Sequence, residues 1–96
     1  MATFVILVNL TEQGARNFKE SPNRAEAFQA AAAKAGVQVK SLFWTAGAYD
    51  VVATVEGPEE AVMATNAMMA SLGNVRTQTL RAFNAAEMKK IISLMP

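Results

Sequence analysis

Apolar residues crowd the start of the chain without alternating. Phe4-Val5-Ile6-Leu7-Val8-Asn9-Leu10 is β-branched and aromatic on both parities, and Thr11 and Gly14 close the run. The pattern predicts a strand of about six residues. A strand apolar on both sides is a central one, so cover is expected over both faces of its sheet. Polar letters at residues 11–19 read as a turn or short helical segment, after which Ser21-Pro22 offers an N-cap and a proline at the first helical position. Ala25, Phe28, Ala32 and Ala35 then recur at spacings of three and four up to Gly36, predicting a helix with a thin, close-packing face.

Beyond Gly36, Val37, Val39, Phe43 and Thr45 share one parity and Gln38, Lys40, Leu42 and Trp44 the other, a second strand running to about Ala46. Ala46-Gly47-Ala48 is short enough only for a hairpin turn, and residues 49–55 return as a third strand. Its faces are Tyr49, Val51, Ala53 and Val55 on one side and Asp50, Val52 and Thr54 on the other. Gly57-Pro58-Glu59-Glu60 opens a second helix, with carboxylates where the positive end of the helix dipole favours them. Ala61, Thr65, Met68 and Leu72 make its core stripe, widened by Val62, Met63 and Met69, and the helix stops at Gly73. Residues 74–83 form a Thr-rich fourth strand, and Asn84-Ala85-Ala86-Glu87 opens a last helix with a capping box and a stripe of Met88, Ile91, Ile92 and Met95.

The order is βαββαβ plus a terminal helix. With right-handed crossovers and a hairpin between the middle strands, it specifies a single α+β domain over residues 1–96, a ferredoxin-like sandwich of four antiparallel strands with two helices on one face. The other face is left bare, and a second sheet or the terminal helix is expected to cover it.

Composition sharpens this picture. Charged residues are 18% of the chain against a usual value of about 25%, which points to self-association. A net charge of +1 lacks the footprint of a nucleic-acid binder. With neither cysteine nor histidine, thiolate chemistry, His-based acid/base catalysis and the common zinc and haem ligand sets are excluded, and neither cofactor nor metal is expected. The opening apolar run is far too short for a membrane span and lacks a basic leader, so a cytoplasmic protein with no membrane partner is the default.

Residues 43–52, Phe43-Trp44-Thr45-Ala46-Gly47-Ala48-Tyr49-Asp50-Val51-Val52, together with the block Ser71-Leu72-Gly73-Asn74-Val75-Arg76-Thr77-Gln78-Thr79-Leu80-Arg81-Ala82-Phe83, resemble the GYD-domain family of small bacterial and archaeal proteins. The likeness spans nearly the whole chain and includes Thr11-Glu12-Gln13-Gly14 and Arg24-Ala25-Glu26-Ala27. Here the literal Gly-Tyr-Asp is a G-x-Y-D form, because Ala48 stands between Gly47 and Tyr49. The resemblance implies a ferredoxin-like domain that associates in the manner of dimeric α/β barrels, and it implies no settled biochemical activity.

The candidate ligand-binding residues are Trp44, Asp50, Thr54, Arg76 and Gln78, whose strand positions let them reach the bare face. Asp50 is read first as a strand-end carboxylate, with a general base as the alternative. Arg76 and Gln78 share a face and either meet an anionic ligand or guard an edge strand. Trp44 serves an interface or core more readily than it stacks on a ligand. Thr77, Thr79 and Arg81 have the opposite parity and sit badly under apolar helices, so a bulge is expected in the last strand. A pocket is expected on the bare face, because Phe28, Met68 and Leu72 should fill the other.

Three functions fit. The first is an oligomeric module, binding a small metabolite or serving a structural or regulatory role, whose partners are itself and possibly that metabolite. The second is a cofactorless enzyme resembling the monooxygenases or isomerases found on dimeric α/β barrels, which needs Asp50, Arg76 and Trp44 to converge. The third is a regulatory domain acting on a protein partner.

Overall fold

The computed structural model describes residues 1–96. Its elements run β1 (Ala2–Leu10), α1 (Glu12–Arg16), a 3-10 turn (Phe18–Glu20), α2 (Ser21–Lys34), β2 (Gln38–Trp44), β3 (Val51–Gly57), α3 (Glu59–Ser71), β4 (Val75–Ala82) and α4 (Ala85–Ser93). The four strands make one sheet in the order β2-β3-β1-β4, and every neighbouring pair is antiparallel. This is the order that two right-handed crossovers around a central β1–β3 pair produce, and it is that of a ferredoxin-like fold.

Register decides the two faces. On the side of α2 and α3, Val39, Val55, Phe4 and Arg81 form one row across the sheet, and Leu42, Ala53, Ile6 and Thr79 form the next. Trp44, Val51, Val8 and Thr77 form the third. The core gathers Phe4, Ile6, Ala53 and Val55 from the sheet, Phe28 and Ala32 from α2, Val62 from α3, and Val37 from the turn before β2. The strictly alternating burial of β3 follows from the pleat, which sends successive side chains to opposite faces.

The sequence pattern misses in several places. Strict alternation joins Val39 to Phe43, whereas a bulge between Val39 and Ser41 opposes Val39 to Val55 and Leu42 to Ala53, so Val39, Leu42 and Trp44 share the helix side. The bulge expected in β4 is absent, its pairing with β1 running unbroken from Thr3↔Ala82 to Leu10↔Val75. The polar side chains of β4 are accommodated individually. Asn66 Nδ2 donates to Thr79 Oγ1 at 2.8 Å, and Arg81 lies over the rings of Phe4 and Phe83, its guanidinium 5.6 and 4.4 Å from their centroids. Ser21 is not a cap. The 3-10 turn leads straight into α2, Glu20 occupies the N-cap, and the Ser21 hydroxyl instead accepts the indole N–H of Trp44 at 2.9 Å. In α3 the buried positions are Val62, Thr65 and Asn66, while Met68 and Leu72 are 40% and 55% exposed. The stripe is rotated by one residue from the expected one.

The other sheet face carries no cover within the chain. Val5, Leu7 and Val52 are half-buried at its centre, and Phe43 and Leu80 toward its edges are 64% and 41% exposed. The expectation that β1 is covered on both sides is therefore unmet in the single chain. α4 begins with the expected capping box, the side-chain Oδ1 of Asn84 accepting from the Glu87 amide at 2.8 Å and Glu87 Oε1 from the Asn84 backbone amide at 2.9 Å. Its stripe of Met88, Ile92 and Met95 is exposed. A radius of gyration of 14.6 Å exceeds the roughly 12.5 Å expected of a globule of this length, and the long axis reaches 50 Å.

Candidate functional site

Asp50 stands one residue before β3 and is held by backbone groups. Its N–H donates to the Val8 carbonyl at 2.8 Å and its carbonyl accepts from the Thr45 amide at 2.9 Å. Its carboxylate Oδ2 accepts the Leu10 amide at 2.9 Å. One residue thus ties β1 to both arms of the β2–β3 hairpin, extending the ladder past the end of β3. Gly47, at φ +145°, supplies the turn in a region closed to side-chain-bearing residues, and the Thr45 hydroxyl donates to the Tyr49 carbonyl at 2.6 Å. Replacing Asp50 with alanine strands the half-buried Leu10 amide and is expected to cost about 1–3 kcal/mol, with asparagine restoring much of it. Thermal melts of the two variants check this; equal melting for Asp50→Ala and the parent refutes it.

The remaining candidates do not converge. Thr54 lies on the bare face, where its Oγ1 accepts the Ser41 hydroxyl at 2.8 Å. Arg76 and Gln78 are on the same face but exposed on β4, opposite Asn9 and Leu7, two strands across from Thr54 and four and two residues further along the sheet. Arg76 forms no ion pair. Trp44 lies on the opposite face, against α2, because of the β2 bulge. The convergence of Asp50, Arg76 and Trp44 that the enzyme reading required is not formed.

The cavity is on the helix side, contrary to expectation. It lies between the sheet, the N-terminal half of α2 and the C-terminal half of α3, a cleft of about 590 Å³ counted out to its open mouth. The alanines explain it. Ala25 is too short to close the gap to Met69, and the outward Met68 and Leu72 leave the row Trp44–Val51–Val8–Thr77 incompletely covered. Its polar lining is Ser21, Arg24, Asn66 and Thr77. Ser21, Arg24 and Phe28 recur at spacings of three and four, so one α2 face carries them all, a signal visible in the sequence beside the alanine stripe. Arg24 donates through Nη1 to the Asn17 carbonyl at 3.2 Å and through Nη2 to the Gly14 carbonyl at 3.4 Å.

The GYD domain profile matches residues 4–92. The chain belongs to the GYD domain family. Within this GYD domain, Asp50 of the G-x-Y-D segment is the strand-end anchor described above. The chain is 36% identical over 90 residues to a Thermus thermophilus protein named glutamine synthetase and cystathionine beta-lyase binding protein, an alignment covering 92% of this chain and 95% of the relative. The crystal structure of TTHA0845 from Thermus thermophilus is similar with a TM-score of 0.56 and 31% identity, covering 88% of this chain and 96% of that one. No helix of this GYD domain is long and apolar enough to cross a membrane.

Proposed function

We propose that this GYD domain is a non-catalytic binding module that assembles with itself through the bare sheet face and acts by docking on an enzyme. The observation that carries the assembly is a mismatch within one chain. The sheet face around Val5, Leu7, Val52, Phe43 and Leu80 lacks a cover, while α4 presents an unpartnered apolar stripe and does not pack on that face within the chain. A second copy supplies both at once, α4 of each protomer and the two bare faces closing a symmetric interface of the dimeric α/β-barrel kind. The charge-poor composition agrees, since the centre of such an interface is depleted in charge. The name of the Thermus relative favours an enzyme as the further partner. The engagement of Asp50 by backbone, and the placement of Trp44 on the opposite sheet face from Arg76, favour binding over turnover.

Light scattering at micromolar concentration is expected to give at least twice the 10.3 kDa of one chain. The double variant Phe43→Glu with Leu80→Glu, which alters exposed side chains only, is expected to reduce it to the single-chain mass. A parent protein that is monomeric throughout the concentration series, or a double variant of unchanged mass, overturns the assembly. Sedimentation of mixtures with a glutamine synthetase or a cystathionine beta-lyase tests the docking: a joint boundary supports it, and independent boundaries with both enzymes reject it.

A further inference from the structure

We infer that the helix-side cavity is a binding site for a small single-ring aromatic carboxylate, separate from the self-association face. Its walls fit a flat apolar body. Phe28 of α2, Leu42 and Trp44 of β2, Val51 of β3 and Val75 of β4 line it, with the indole at one side. The cleft measures about 590 Å³ counted out to its open mouth, which leaves room for one ring with one acid group.

The polar groups fit an anion at the α2 end. Arg24 is half-buried on the cavity wall and pairs with no carboxylate. Two of its five N–H donors go to backbone carbonyls, which hold the guanidinium in place and leave donors for a ligand. Ser21 is the second observation. It is 6% exposed, and its oxygen accepts the Trp44 indole N–H, yet its own hydroxyl proton has no acceptor within the chain. A buried donor left unmatched inside an apolar cavity is costly, and a carboxylate oxygen supplies the acceptor. Both groups sit in the first turn of the 14-residue α2, whose N-cap contributes no side-chain bond and whose dipole favours negative charge there. Charge, donor and dipole therefore act on the same end of the cavity, and the apolar walls occupy the rest.

Trp44 is the single tryptophan, so its emission reports occupancy directly. Benzoate is the probe and benzamide its uncharged counterpart. Benzoate is expected to change the emission saturably in the millimolar range or below and to bind at least tenfold more tightly than benzamide. Arg24→Met should remove that preference, and Ala25→Leu, which fills the gap opposite Met69, should abolish the saturable change while the circular dichroism of the fold is retained. Arg24→Lys keeps a positive charge and separates loss of charge from loss of the carbonyl bonds. No saturable change with benzoate, equal affinity for the amide, or an undiminished response in Ala25→Leu overturns the site. Because the cavity lies on the opposite side of the sheet from Phe43 and Leu80, the monomeric double variant is expected to bind benzoate like the parent, so failure of the assembly and failure of this site are read separately.

Discussion

Alanine at Gly14 is expected to lower stability by about 3 kcal/mol, a fall in melting temperature of roughly 12–24 °C for a domain of this size. Gly14 lies inside α1, where helix propensity alone would favour alanine by about 1 kcal/mol, so the sign of the effect is diagnostic. Space decides against it. A Cβ on Gly14 would stand 2.0 Å from the carbonyl oxygen of Asn74 and 3.0 Å from its carbonyl carbon, both backbone atoms. That oxygen cannot withdraw cheaply, because it accepts the Thr11 amide at 3.0 Å. The turn it belongs to is clamped further: the Thr11 hydroxyl donates to the Gly73 carbonyl at 2.6 Å, and Gln13 Nε2 reaches the Leu72 carbonyl at 3.2 Å and Asn74 Oδ1 at 2.9 Å. Those bonds fasten the segment after β1 to the turn between α3 and β4, and alanine must break them or strain the backbone. Circular dichroism melts measure the outcome; a Gly14→Ala protein melting within a few degrees of the parent, or above it, refutes the argument.

Removing residues 84–96 is expected to halve the assembled mass or worse while leaving the sheet and the α2–α3 layer folded. The core of the domain does not include α4. It is tied to the body by the Arg81–Glu87 ion pair at 3.9 Å, a partly exposed contact worth little in water. Arg81 keeps its other partners after truncation, since its guanidinium also donates to the carbonyls of Thr3 and Ala82. The apolar stripe of α4 is a different matter. Burial of Met88, Ile91, Ile92 and Met95 against a second copy is worth on the order of 6 kcal/mol at most, enough to decide between monomer and dimer at micromolar concentration. The readout is twofold, light scattering for mass and far-ultraviolet circular dichroism for the remaining fold. Unchanged mass in the truncated protein removes α4 from the interface, and loss of the fold itself shows that α4 belongs to the domain core.

The placement of the elements was legible before any coordinates, and so was part of the site. Asp50 is an example: its position one residue before a strand, after a glycine turn, identifies a strand-end carboxylate whether or not its partner is known. Arg24 was missed: it stands four before Phe28 on one helical face, but nothing in a periodic pattern announces an empty space beside it. A cavity is a statement about volumes from several elements at once. Trp44 was misplaced for the complementary reason. A period of two assigns faces only while the ladder is unbroken, and the bulge after Val39 inserts a residue that no alternation of letters reveals.

The sequence by itself determined the order of strands and helices, the hairpin at residues 45–50, the Asn84–Glu87 cap and the faces of β3, because each depends on neighbours within a turn of helix or a pair of strands. Only the tertiary structure decided which side of the sheet holds the cavity, where Trp44 points, and that α4 leaves the bare face uncovered. Those depend on the register between β2 and β3, on the rotation of α3 by one residue that turns Met68 and Leu72 outward, and on the close approach of Gly14 to Asn74. Each is a contact between segments distant in the chain. Its energy is set by shape complementarity rather than by the preference of any residue for a helix or a strand.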